Sequence, residues 1–100
     1  MSVVLSGEIR FPPGCLEEAR AALIDMMQGS EACDGCYVCR YSESLEEPGL
    51  FRVFQHWRDE AAFMAAHEQP HFARWRQARQ RLGLHGRRYV LHEISSVADR

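Results

Sequence analysis

The chain has 100 residues, enough for one domain with a modest core and too few for a second, so residues 1–100 are expected to fold as one unit. Its composition is globular, 46% hydrophobic and 26% charged, and the formal net charge of −2 argues against wholesale nucleic-acid binding. No apolar run approaches the roughly 18 residues that a membrane span needs, and the opening MSVVLSGEIRF lacks a signal peptide's basic start, so a cytoplasmic protein is expected.

VVLSGEIRF alternates, with Val3, Leu5, Ile9 and Phe11 on one side and Ser6, Glu8 and Arg10 on the other, which predicts a half-buried strand. Pro12-Pro13-Gly14 ends it. CLEEARAALIDMMQ then spaces Leu16, Ala19, Leu23, Met26 and Met27 as a helix does, with Glu17 and Glu18 in the first turn where the dipole favours acids. Gly29 is expected to stop this helix. CYVCRYSES reads as a second strand, EEPG as a turn and LFRVFQHW as a third strand, aromatic and β-branched. Asp59 opens a short helix through EAAFMAAH. Pro70 suits the first position of another helix, PHFARWRQARQRL, ending at Gly83, and RRYVLHEISSV is the last strand.

Strand, helix, strand, strand, helix, strand with short connections predicts an α+β fold of ferredoxin-like βαββαβ topology, a four-stranded antiparallel sheet with helices on one face. The other face would carry Val4, Leu50, Phe54, Val90 and Ile94 beside Arg52, His56 and His92. A sheet this apolar on its uncovered side wants a second layer, and the simplest layer is a copy of itself, so a homodimer is expected.

Two patterns suggest metals and are set aside. HEQPH, His67 to His71, spells the H-E-x-x-H of zinc proteases, which needs both histidines on one continuous helix. Pro70 has no N–H to donate, its ring collides with the carbonyl of Ala66, and it pushes Gln69 out of the helical region. CDGCYVC spaces Cys33, Cys36 and Cys39 by threes, but in a regular strand Cys36 and Cys39 would face opposite sides. The helix starting at Cys15 would hold that fourth thiol about 27 Å away. Buried thiols, with Cys33 the most exposed, are the expectation, and no metal. The run RWRQARQRLGLHGRR, with six arginines and no acid, raises an RNA-binding alternative. LFRVFQHW lacks the glycine placement and register of the aromatic RNA-binding strand, and no nucleic-acid partner is expected.

FQHWRDEAAFMAAHEQPHFARW resembles the antibiotic biosynthesis monooxygenase (ABM) domain family. The matching features are a strand ending in Trp57, the Ala61-Ala62 helix, the Ala66-His67 pair and Pro70-His71. Gly35-Cys36 resembles the family's turn into its second strand, and the opening strand with Pro12-Pro13-Gly14 also fits. The resemblance implies a dimeric α+β barrel and, for its enzymes, oxidation of a phenolic, quinol or anthrone-like small molecule by O₂ without a cofactor. The chain departs from the family in having Gln55 where an acid is common two residues before the tryptophan. It also has no asparagine, a residue on which the haem-degrading and polyketide-tailoring branches rely. A binding or stress-response module of the same fold is the alternative from another class, and a haem-degrading relative a third.

Such chemistry needs a dry aromatic pocket, a base that titrates near neutrality and donors for the developing anion. His67, following the apolar run AAFMAA, is the expected base, against the simpler reading of a core histidine bonded to a backbone carbonyl. The substrate-binding candidates are Trp57, His71, Phe72, Trp75 and Arg79. The tryptophans are read as cavity walls or as core, and His71 as an anion-binding or a solvated helix-end residue. Arg79 falls within the buried stripe of Phe72, Trp75 and Leu82, where it either snorkels outward or holds an anion.

Overall fold

Alternation along the first strand sets the layering. In the computed structural model, which describes residues 1–98, Val3, Leu5 and Ile9 share one face of β1 (Ser2–Arg10) and are buried. A 3-10 turn at Pro13–Cys15 leads into α1 (Leu16–Glu31). Then come β2 (Cys36–Glu43), β3 (Leu50–Trp57), α2 (Glu60–Ala66), α3 (Pro70–Leu82) and β4 (His85–Ile94). The sheet order is β2-β3-β1-β4 with every neighbouring pair antiparallel. This is the ferredoxin-like α+β arrangement expected from the element order.

The main core lies between the sheet and α1 with α3. Ile9, Phe11, Leu23, Met26, Phe51, Val53 and Trp75 pack together there, each buried. Burying one such side chain contributes about 1.5–3 kcal/mol. A smaller cluster of Val3, Trp57, Ala62 and Ala66 seats α2 on the other end of the sheet. Asp59 starts α2 by accepting the Ala62 N–H at 2.8 Å, as a capping carboxylate should. Gly83 ends α3 in the left-handed conformation, φ 80°, where a side chain would be strained. Among the described residues no helix is long and apolar enough to cross a membrane.

Three local expectations need correction. Gly29 does not stop α1, which runs on to Glu31. Its missing side chain serves close packing instead, since a Cβ there would lie 2.4 Å from the Cβ and Cγ of His71. The last strand runs from His85 to Ile94, not from Arg87 to Val97. Ile94 pairs with Ser2, where β1 begins, and residues 95–98 lie beyond the end of that strand. A register shift near Arg10 brings that residue opposite His85 and extends the other end. Finally, β2 is not regular. Cys36 pairs with Trp57 and Val38 with the next residue back, His56, so Tyr37 is an extra residue in a bulge. Cys36 and Cys39 therefore both turn to the helix side, and the argument that they face opposite sides fails.

On the uncovered face Val4, Phe54, Val90 and Ile94 sit beside Arg52, His56 and His92, as the alternation predicts. Leu50, on the same face, is buried. Phe54 and Val90 are about half exposed, at 47% and 55%. Among the described residues, the His56 Nε2 on this face is a buried polar side-chain atom without a hydrogen-bond partner. The Tyr37 ring meets it edge to face at 4.9 Å.

Candidate active site

A cavity of about 550 Å³ opens between the helix side of the sheet and the α2–α3 corner, a size usual for small-molecule sites. Trp57, Phe63, Phe72 and Trp75 form its aromatic walls. Both tryptophans are core residues that turn one face to the cavity, so the two readings of them describe the same side chains. Trp75 packs edge to face on Phe11 at 6.2 Å and tilted against Tyr41 at 5.9 Å, which fixes the wall in place.

His67 reaches this cavity because the chain changes helix there. The residue caps α2 at φ −67°, ψ −17°; Gln69 is extended at φ −85°, ψ 153°, and Pro70 starts α3. The imidazole lies between Phe63 and Phe72, with ring centroids 4.8 and 4.3 Å away. Its Nδ1 is 2.8 Å from the carbonyl oxygen of Phe63, one turn back. A carbonyl only accepts, so Nδ1 is the donor in this bond, and Nε2 is the ring nitrogen left outside it. The hydrogen bond to a backbone carbonyl expected of an ordinary core histidine is therefore present, and it fixes the orientation of a ring that also borders the cavity.

A polar chain crosses the cavity wall opposite the helices. The Trp57 indole N–H donates to the Gln55 Oε1 at 2.9 Å, and Gln55 is itself buried. Tyr41 lies beside both Gln55 and Tyr89, which act on its phenol in opposite directions. Burial pushes both phenols above their usual range, Tyr41 the further, so both remain proton donors at neutral pH. Neighbouring Arg79 and Arg87 pull Tyr89 the other way. Among the described residues, three arginines, Arg76, Arg79 and Arg87, line the cavity, and no carboxylate does.

His71 lies apart from this group. It is not solvated at a helix end but buried against Gly29, with its Nε2 3.1 Å from the Ser30 hydroxyl. Burial, followed by Arg74, lowers its pKa. It lines a separate cleft between α1 and α2. His67 and His71, the two histidines of HEQPH, are thus held on different helices with different partners. Among the described residues no three His, Cys, Asp or Glu side chains are placed to hold a metal ion. Burial pushes the Cys36 and Cys39 thiols up to about 11 and about 12, which marks them as inert packing groups. In the arginine-rich run, Arg74 pairs with Asp25 and Arg81 with Glu18, both on α1.

The cavity therefore gathers five of the six sequence candidates, His67, Trp57, Phe72, Trp75 and Arg79, and leaves out His71. Sequence reasoning missed Gln55, Tyr41 and Tyr89. Their only linear signal was parity: Gln55 shares a side with Trp57, and Tyr41 with Cys39. The contribution of Tyr89 depends on β4 lying next to β1, which no spacing reveals.

Residues 2–78 match the family described as antibiotic biosynthesis monooxygenase. Among solved structures, Rv0793 from Mycobacterium tuberculosis is 21% identical with a TM-score of 0.87, over 99% of this chain and 100% of that one. A candidate antibiotic biosynthesis monooxygenase from Deinococcus radiodurans is also 21% identical, with a TM-score of 0.88 over 98% and 97% of the two chains. PA3566 from Pseudomonas aeruginosa is 24% identical, with a TM-score of 0.80 over 97% and 95%. No curated protein matches the chain in sequence.

Proposed function

The chain belongs to the antibiotic biosynthesis monooxygenase family, and from that premise we propose that it is a cofactor-free monooxygenase oxidising a phenolic, quinol or anthrone-like molecule with O₂. The observation that carries this reading is the His67 Nδ1 bond to Phe63, which leaves Nε2 outside it on a ring that borders an aromatic cavity. The imidazole takes the substrate's hydroxyl proton, and the resulting anion passes one electron to O₂. Superoxide and substrate radical combine at the ring carbon to form a C–O bond. The peroxide takes a proton from the imidazolium. Loss of the remaining C–H proton to the base with departure of hydroxide then leaves a carbonyl and one water. Tyr41 and Tyr89, held protonated by burial, supply donors toward the anions formed on the way.

A homodimer through the uncovered sheet face belongs to the same proposal. Half-exposed Phe54 and Val90 and the unpartnered His56 Nε2 support it, since buried polar atoms are rarely left without a partner. Oxygen uptake with a panel of anthrones and hydroquinones tests the reaction: one O₂ should disappear per substrate, with no hydrogen peroxide released. Ligands that raise the melting temperature without oxygen uptake would instead identify a binding module. Haemin that binds and is then bleached would identify a haem-degrading protein.

A further inference from the structure

The cavity's charge is one-sided. Arg79 rises from the buried stripe of α3, one turn after Trp75, and Arg87 approaches from β4. Neither has an ion-pair partner among the described residues, although Arg10, Arg20, Arg40, Arg58, Arg74 and Arg81 each have one. Aromatic faces hold the guanidinium groups instead. The Arg79 Cζ lies 5.8 Å from the Phe72 ring centroid, Arg76 4.8 Å from the same ring, and Arg87 5.7 Å from the Tyr89 ring. Stacking of this kind fixes the plane of a guanidinium while leaving its N–H edge without an acceptor.

Burial is the main cause lowering the Arg79 pKa, and the like charge of Arg87 adds to it. An arginine stays protonated nonetheless. The protein therefore holds uncompensated positive charge against an apolar cavity, an arrangement that an anionic ligand would relieve. Arg79 is half-buried, with its side chain on the cavity lining.

We propose that the cavity binds an aromatic substrate bearing a carboxylate, with the carboxylate on the edges of Arg79 and Arg87 and the rings between Trp57 and Trp75. This deepens the oxygenase reading and rests on it for the site, but its test reads binding alone. The probes are 6-hydroxy-2-naphthoate and its uncharged methyl ester, titrated calorimetrically into the purified protein.

The acid should bind at least about tenfold more tightly than the ester, as expected for a charged hydrogen-bonded pair. Arg79→Gln should bring the two within about twofold of each other by weakening the acid alone. Arg88→Gln, on the opposite face of β4, should keep the preference. Equal affinity of the two probes for the wild-type protein overturns the proposal, whatever the variants do. So does a preference that survives Arg79→Gln, or failure of both probes to bind. Oxygen uptake is followed separately with the anthrones and hydroquinones. A preference for the acid without any uptake retains the anion site and sinks the oxygenase; uptake with no preference does the reverse.

Discussion

The Nδ1 of His67 donates to the backbone carbonyl of Phe63 across 2.8 Å, a bond made within the last turn of α2 that leaves Nε2 as the ring nitrogen outside it. Replacing this residue separates catalysis from folding. With His67 as the proposed base, His67→Ala should lower turnover by roughly a hundredfold or more. The aromatic walls stay, and the melting temperature should change little because the ring is only half-buried. Steady-state oxygen uptake on the best substrate of the panel checks this, and undiminished turnover would exclude His67 as the base.

Gly29 offers a test in which two ordinary effects oppose. In an exposed helix interior, Gly→Ala stabilises by about 1 kcal/mol. Here the new methyl would meet the Cβ and Cγ of His71 at 2.4 Å. A Cβ cannot swing aside, so α1 and α3 must separate, and overpacking of that kind costs about 1–3 kcal/mol. The packing effect should win. A fall in melting temperature of several degrees is expected by calorimetry, at about 4–8 °C per kcal/mol for a domain of this size.

His71 should make stability depend on pH above the range where carboxylates titrate. Burial lowers its folded pKa below the ordinary 6.5, with Arg74 and His67 acting in the same direction and Asp25 against them. Between the two values the unfolded chain binds a proton that the folded chain refuses. Stability is therefore complete above the unfolded value and falls as the pH drops from about 6.5 toward the depressed folded value. Asp25, Glu43, Glu47 and Asp59, whose pKa values are lowered, add their losses only below their ordinary 3.8 to 4.5. His71→Asn should flatten the upper part of the profile and leave the lower part, as read from urea midpoints between about pH 7.5 and pH 3.

The uncovered sheet face carries its own prediction. Phe54→Arg places a charge at the centre of that face, opposite Ser6 of β1 and Arg40 of β2. A dimer formed there should dissociate to monomers in sedimentation equilibrium, while far-ultraviolet circular dichroism remains unchanged. A variant that sediments like the wild-type protein would place any dimer contact elsewhere.

The layering was legible in the sequence because it depends on parity and period. Val3, Leu5 and Ile9 had to share a side, Trp75 and Leu82 had to share a stripe, and Pro70 had to divide the helices. The site was legible where it follows such a pattern: Trp57 on β3, His67 at the end of the apolar run of α2, and Phe72, Trp75 and Arg79 along α3. What escaped were facts about neighbours. The Gly29 reading failed because the glycine yields space to a side chain 42 positions later, rather than freedom to its own backbone. His71 was read as solvated because nothing local indicates that Ser30 waits beside it. Gln55, Tyr41 and Tyr89 come to one cavity wall only after all four strands have been set in order.

Tyr37, the extra residue at the start of β2, acts as a phase adjuster for everything downstream of it. Were it deleted, the strand would either straighten and rotate Cys36 outward, or slide by one and carry Cys39 and Tyr41 out of the interior while Arg40 swung in. A one-residue change in length here would thus undo Tyr41's place beside the cavity more thoroughly than many substitutions inside it.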